Sequence, residues 1–270
     1  MPSLIFFLIF ACMIVGEKFY REETHMDQMV INAGVAGLTA GSARTAKKER
    51  AAQKRERQGV TLMNYSLGEE LISAITHGIG AGLAIAGLVL MIVKAAQTGA
   101  VEVTSAAVYG GTLFIMYICS TMYHALGHNK AKKVFRVLDH CGVFLLIAGT
   151  YTPYTLVALG GAFGWSIFGF IWGLTILGIV FNSIDLEKYE KLSMIVNIIM
   201  GWTIVIAMYP LCRKLDIAAI ILLIAGGVVY SVGAVLYANG HKKKYMHSLW
   251  HFFVLGGSVL HFFSLYLYVL

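Results

Sequence analysis

The sequence predicts an all-α integral membrane protein, a bundle of seven transmembrane helices. Three observations predict this class: charged residues are scarce, apolar runs are long, and basic residues concentrate on one side. Only 13% of the 270 residues are charged, whereas a soluble domain has about 25%. The segment from Leu71 to Leu270 holds 12 basic and 6 acidic side chains, too few to cover a surface that faces water. The composition therefore excludes a soluble globular enzyme and a disordered protein.

Seven apolar runs are long enough to cross a bilayer as helices, because a helical span needs about 20 residues. Transmembrane β-strands would instead show alternating segments of about ten residues, and the sequence has no such pattern. Short connections that contain most of the remaining charge separate the runs. The predicted spans are 71–93, 105–126, 138–158, 164–181, 192–211, 217–238 and 247–269.

Lysine and arginine residues are distributed unequally between the two ends of the predicted bundle. Sixteen lie in the segment from Arg44 to Arg57 or in the second, fourth and sixth connections, whereas the opposite side has only Lys94, Arg213 and Lys214. The positive-inside rule predicts that the N-terminal segment is cytoplasmic and that the C-terminus lies outside. Basic connections account for the net charge of +7, so we expect membrane lipids as partners and no nucleic acid.

Residues 1–63 form a poorly defined N-terminal extension, and residues 64–270 form the membrane domain. The apolar run from Pro2 to Gly16 is too short for a full span and lacks the basic residues that begin a signal peptide. The basic segment from Arg44 to Arg57 is typical of a solvated juxtamembrane segment, and attraction to anionic lipids is the alternative. A translation start at Met63 would leave residues 1–62 unexpressed, an option that the sequence leaves open.

Five ionisable groups share one depth in the predicted bundle. His77, His124, Asp139, His247 and His251 belong to four different spans. At 1.5 Å per helical residue, all five lie within roughly 10 Å of the cytoplasmic ends. Ionisable side chains inside a membrane are costly and usually functional, so we expect these groups to meet.

The spacing of these residues is typical of a metal site. His247 and His251 are i, i+4 neighbours on one helical face, and Ser120 and His124 have the same spacing. Three imidazoles with one open position are typical of catalytic zinc, whereas four protein ligands are typical of structural zinc. Asp139 would hold the attacking water or orient a ligand. A single helix-end histidine is more typical of an interfacial residue, but the joint pattern favours a metal.

Two further histidines are less well placed. His140 directly follows Asp139 and therefore points to a different helical face, which makes it a reserve ligand. His261 lies ten residues beyond His251, about 15 Å deeper along the helix. We expect His261 to face a packed or aqueous gap near the far side of the membrane.

Four motifs in order resemble a known family. They are EELISAITHGIG (Glu69–Gly80), STMYHALGH (Ser120–His128), LDHCGVFLLIAGTYTPY (Leu138–Tyr154) and HSLWHFFVLGGSVLH (His247–His261). With these motifs the chain resembles the bacterial hemolysin III proteins, the prokaryotic branch of the progestin and adiponectin receptor (PAQR) family. The resemblance extends from about Asn64 to Leu270. It implies a seven-helix bundle with a cytoplasmic N-terminus in the bacterial plasma (inner) membrane.

The resemblance also implies a zinc ion and its ligands. By motif, His124, His247 and His251 would bind zinc, Asp139 would hold the water, and the hydroxyl of Ser120 would lie nearby. His77 matches a motif histidine of the first span, for which the resemblance implies no ligand role. His140 stands where the eukaryotic receptors tend to have an aromatic residue, which leaves open whether a fourth nitrogen lies near the metal.

The leading hypothesis for function is a zinc-dependent hydrolase that acts on a ceramide-like lipid amide from the cytoplasmic leaflet. Asp139 would be the general base, and Ser120 would donate a hydrogen bond to the developing oxyanion. One alternative is a pore-forming, cytolytic hemolysin, which would require a homo-oligomer. The other is a receptor-like membrane-homeostasis protein in which zinc is structural and no turnover occurs.

Overall fold

The computed structural model describes residues 62–238 and 243–270. In this part of the chain seven helices are long and apolar enough to cross a membrane. Each predicted span falls on one of them, so the seven-helix prediction is confirmed. The N-terminal apolar run and the basic segment from Arg44 to Arg57 lie outside the described residues. The helices are α1 (Leu67–Ala95), α2 (Ala100–Ala125), α3 (Lys130–Leu159), α4 (Gly161–Ile184), α5 (Leu186–Lys214), α6 (Ile217–Ala238) and α7 (Met246–Tyr268).

Polar capping residues make two helices start earlier than their apolar runs. Ser66 caps α1 in a capping box: its hydroxyl accepts a hydrogen bond from the backbone N–H of Glu69, and the Glu69 carboxylate accepts one from the Ser66 N–H at 2.9 Å. Asn129 caps α3 by accepting a hydrogen bond from the Lys132 N–H at 2.8 Å. The first turns of α1 and α3 therefore place charged residues inside the helical bundle.

Two irregular segments interrupt the regular α-helical geometry of α3 and α5. The last turns of α3, Tyr154–Leu159, are π-helical, and α5 contains a 3₁₀ segment at Thr203–Ala207. At the break in α5, the Tyr151 hydroxyl donates a hydrogen bond to the Met200 carbonyl at 2.7 Å and accepts one from the Ile204 N–H at 2.6 Å. Tyr151 thus satisfies backbone groups that the change of helix type leaves unpaired.

The seven helices pack in a ring. Each helix contacts the next from α1 to α5, and α7 contacts both α6 and α1. Of the pairs of helices that follow each other in the chain, α5 and α6 contact each other least. Large apolar side chains such as Ile75, Ile79 and Ile206 are exposed on the outer face, as expected for a surface that contacts lipid.

Candidate metal centre

Three buried imidazoles converge where α2 ends and α7 begins. The Nε2 atom of His247 lies 3.2 Å from Nε2 of His124 and 3.2 Å from Nε2 of His251. The candidate ligand atoms of the three histidines all lie within 4.8 Å of one another. Tetrahedral zinc with bonds of about 2.0–2.1 Å would separate its nitrogen ligands by roughly 3.3 Å. The three histidines therefore fit a single metal ion.

Glu70 of α1 orients one of these imidazoles. Nδ1 of His124 donates a hydrogen bond to Glu70 Oε2 at 2.6 Å, which leaves the lone pair of Nε2 for a metal. The other carboxylate oxygen accepts a hydrogen bond from Lys132 Nζ at 2.7 Å, and the side chain of Lys132 is only 1% exposed. Lys132 Nζ also donates to the Leu126 carbonyl at 2.9 Å. Glu70 therefore connects α1 to both α2 and α3 beside the candidate ligands.

The neighbouring Glu69 positions the start of α7. Its Oε1 accepts a hydrogen bond from the Tyr245 N–H at 2.7 Å, and its carbonyl accepts one from the Ser248 hydroxyl at 3.1 Å. Tyr245 has a φ of 64°, a left-handed conformation that is unfavourable for a residue with a Cβ atom. His247 lies between these two anchor points, so Glu69 helps to fix where its imidazole enters the site.

Tyr65 covers the site from the segment that precedes α1. Its ring stacks on His247 with a centroid distance of 4.7 Å and an interplanar angle of 19°. Its centroid lies 5.8 Å from that of His124. Burial raises the pKa of Tyr65 well above its ordinary value, so the phenol stays neutral. The chain before α1 therefore shields two candidate ligands with an aromatic ring.

His77 lies against the candidate ligands but is outside their group of three. Its ring centroid is 3.8 Å from that of His251 and 4.9 Å from that of Tyr117. Neither ring nitrogen has a protein partner at hydrogen-bonding geometry. His77 therefore supports the His251 ring through packing, and it also lines the adjoining cavity.

A cavity of about 220 Å³ adjoins the three-histidine group through two of its members. His247 and His251 line it together with Ser120 and Asp139. Ser120 is fully buried, and its hydroxyl has no hydrogen-bond partner. The structure thus brings Ser120 and Asp139 to the same cavity as two of the candidate ligands. Their catalytic roles stay predictions.

The two less well placed histidines are engaged elsewhere. Nδ1 of His140 donates to the Arg136 carbonyl at 2.8 Å, and its Nε2 lies 3.3 Å from the Tyr237 hydroxyl. His140 is therefore not one of the grouped ligands. Nε2 of His261 donates to the Leu223 carbonyl at 3.1 Å, so His261 packs against α6 while it lines the cavity farther along α7.

Residue-by-residue reasoning from the sequence did not include Glu70, Lys132 or Tyr65 in the site. The predicted first span started at residue 71, just after Glu70, and Lys132 was assigned to a connection. The sequence does contain a signal for an earlier start of the first helix, because Ser66 and Glu69 have the spacing of a capping box. That pattern starts α1 early enough to place Glu70 in its first turn.

The fold and the site together define a seven-helix membrane protein with a buried three-histidine group that could hold a metal ion. Comparisons with known proteins agree with this class. A family model described as haemolysin-III related matches residues 65–262. The protein "Hemolysin-3" of Bacillus cereus is 44% identical over 212 residues, which cover 78% of this chain and 96% of that relative.

More distant relatives extend the comparison. "Hemolysin-3 homolog" of Bacillus subtilis is 39% identical over 205 residues, 76% of this chain and 96% of the relative. The human "Monocyte to macrophage differentiation factor" is 22% identical over 173 residues, 62% of this chain and 71% of the relative. No solved structure matches. The chain belongs to the haemolysin III family, within the wider PAQR family. It is a multi-pass membrane protein, and the bacterial plasma membrane is its expected location.

Proposed function

We propose that this protein is a zinc-dependent hydrolase of a ceramide-like lipid amide. The observation that supports this proposal is that the three-histidine group borders a cavity that Ser120 and Asp139 also line. Three protein ligands next to open space are typical of catalytic zinc, whereas structural sites are closed by a fourth ligand. The basic connections lie at the same end of the bundle as the histidines. The positive-inside rule therefore supports access from the cytoplasmic leaflet.

Three side chains have separate roles in the proposed chemistry, beside the metal that the histidines would hold. Zinc, when bound, would polarise the amide carbonyl and make a water molecule more acidic. Asp139 accepts the proton of the attacking water and later transfers it to the leaving amine. The Ser120 hydroxyl, which has no protein partner, donates a hydrogen bond to the developing oxyanion. Glu70 keeps the Nε2 lone pair of His124 directed at the metal.

The walls of the cavity support a lipid as the substrate. Apolar side chains from four helices line it, including Leu146, Val205, Ile224 and Val254. Such a surface favours an acyl chain because burial of each CH₂ group contributes about 0.8 kcal/mol. Residues of α5 and α6 line the cavity, and these two helices contact each other least. An acyl chain can therefore enter between them from the bilayer.

The test measures fatty acid released from N-acyl sphingosine by purified, zinc-loaded protein. We expect Asp139→Asn to lower kcat/KM about 10²–10⁴-fold, as loss of a general base does, while zinc content is unchanged. Thr150→Val is the matched control, because Thr150 also lines the cavity but its hydroxyl already donates to the Leu146 carbonyl at 2.7 Å. Zinc-loaded wild type that hydrolyses none of a broad panel of lipid amides would refute the enzyme and favour the receptor-like alternative.

The name that the two bacterial relatives share, hemolysin, favours a second candidate, membrane permeabilisation. Dye release from liposomes by the purified protein tests it. Release that persists in a zinc chelator and in His247→Ala would support a cytolytic protein whose action is independent of the metal centre. Intact liposomes at high protein-to-lipid ratios would exclude this candidate.

A further inference from the structure

A second polar cluster lies on the α4 and α5 walls of the cavity. Asn182, Ser193 and Asn197 all line the cavity. The Ser193 hydroxyl donates a hydrogen bond to Asn182 Oδ1 at 2.5 Å. Ser193 and Asn197 are four residues apart on α5, so they share one face of the helix. Two asparagine side chains, Asn182 and Asn197, are therefore held at one place on the wall. We call them the asparagine pair.

The asparagine pair offers one donor and one acceptor that the protein leaves unused. Asn182 is 1% exposed, and its Nδ2 has no hydrogen-bond partner. Oδ1 of Asn197 is likewise buried and without a partner. An unsatisfied buried polar group costs about 1–3 kcal/mol, and native proteins usually satisfy such groups. The pair is therefore suited to a ligand that both accepts and donates hydrogen bonds.

The charges around the cavity indicate what kind of ligand fits. Asp139 and Glu190 line it. No lysine or arginine is among the described residues that line the cavity. A phosphate or carboxylate near the pair would be repelled and would have no cationic partner. A hydroxyl group is neutral and is both a donor and an acceptor, so it matches the free donor of Asn182 and the free acceptor of Asn197.

We propose that the asparagine pair is a subsite that hydrogen-bonds a hydroxyl group of an uncharged lipid. The pair is on α4 and α5, whereas the candidate metal ligands are on α2 and α7, so a lipid that crosses the cavity reaches both. This inference rests on the proposed function for the end of the lipid that meets the metal. It adds to that function the residues that would recognise a hydroxyl group close to the amide, as an N-acyl amino alcohol such as ceramide has.

Equilibrium binding without turnover tests the subsite. The two probes are a short-chain ceramide and the N-alkyl amide of equal chain lengths that lacks both hydroxyls. Trp202 and Trp250 line the cavity, so a change in the tryptophan fluorescence of zinc-loaded protein reports binding. Every protein compared, including the one with the wild-type pair, also carries Asp139→Asn, so that the ceramide is not hydrolysed during the measurement. We expect wild type to bind the ceramide about tenfold more tightly, the effect of one or two neutral hydrogen bonds. Asn182→Leu/Asn197→Leu should bind both lipids alike, and the Thr150→Val control should keep the preference.

Several outcomes would overturn the subsite. Equal affinity of wild type for both lipids is one, and an unchanged preference in the double variant is another. Asn197→Leu alone guards against a folding defect, because Oδ1 of Asn197 has no protein partner; it too should lose most of the preference. Competition by phosphatidic acid as strong as that by ceramide would refute the selection for a neutral ligand. Hydrolysis of both amides at equal kcat/KM would refute the subsite but leave the proposed hydrolase intact. Selective binding of the ceramide with no hydrolysis would support the subsite and refute the hydrolase.

Discussion

Glu70 accepts a hydrogen bond from Nδ1 of His124 at 2.6 Å, and the same carboxylate accepts one from Lys132 at 2.7 Å. A histidine binds a metal through an unprotonated nitrogen, so the contact with Glu70 selects the tautomer that leaves Nε2 free. Lys132 in turn fixes the carboxylate. Metal affinity is therefore expected to depend on a residue of α1 that is not itself a ligand.

Substitution of Glu70 by glutamine should weaken zinc binding by about 10–100-fold, as the loss of an outer hydrogen-bond partner of a ligand does. The amide still reaches His124 but is a poorer acceptor and no longer neutralises Lys132. Competition with a chelating dye in detergent measures the dissociation constant. Glu102→Gln is the control, because Glu102 lies in the first turn of α2, at the other end of that helix from His124. Wild-type affinity in Glu70→Gln would contradict this role.

The same substitution leaves the charge of Lys132 buried without its partner, which is strongly destabilising by itself. The variant Glu70→Gln/Lys132→Met separates the two effects. We expect the unfolding temperature to recover towards wild type in the double variant, while zinc binding stays weak. Recovery of zinc affinity together with stability would instead show that Glu70 acts only through the fold.

Zinc binding should depend on the three-histidine group and on no exposed histidine. We expect about one zinc per chain in wild type and loss of that zinc in His247→Ala, since two imidazoles bind far more weakly than three. Free zinc at 1,000 times the dissociation constant would stabilise wild type by about 4 kcal/mol, so its unfolding temperature should rise, with no rise in His247→Ala. His128→Ala, in an exposed loop, is the control. Full zinc content in His247→Ala would disprove the centre.

Local properties of the sequence predicted the spans and the three histidines. The length of an apolar run and the distance of His124, His247 and His251 from the span ends can both be counted along the chain. The ion pair of Glu70 and Lys132 could not be found in this way. The ion pair forms because α1 and α3 approach each other beside α2. Both residues also lie in polar first turns of their helices, and a search for apolar runs assigns such turns to the connections.

The asparagine pair could not be predicted from the sequence for a different reason. Asn182 and Asn197 are uncharged, so they did not stand out when charged residues and histidines were located. Each lies in or beside an apolar run, and only the packing of α4 against α5 shows that their amides face a cavity and not another helix. Sequence patterns therefore located the candidate metal ligands, while the groups that surround them required the tertiary structure.

Tyr65 should slow the exchange of metal with solvent. Its ring stacks on His247, and an apolar shell around a metal site controls the access of water. We expect Tyr65→Ala to raise the rate of zinc transfer to a chelator by about tenfold or more. Tyr65→Phe keeps the stacked ring and should release zinc at the wild-type rate. Fast release in both variants would assign the effect to the hydroxyl, and slow release in both would remove the shielding role.

Close packing between α2 and α3 should make Gly149 sensitive to a single methyl group. A Cβ atom at this position would overlap the hydroxyl of Thr112, and Thr112 is fully buried. Gly149→Ala should therefore lower the free energy of unfolding by about 1–3 kcal/mol, a typical cost of overpacking. Gly173→Ala on α4 is the control, because nothing lies within 4 Å of a Cβ atom there and alanine favours the helix by about 1 kcal/mol. Thermal unfolding in detergent measures both. Equal loss of stability in the two variants would show that general helix effects, and not the contact with Thr112, determine the result.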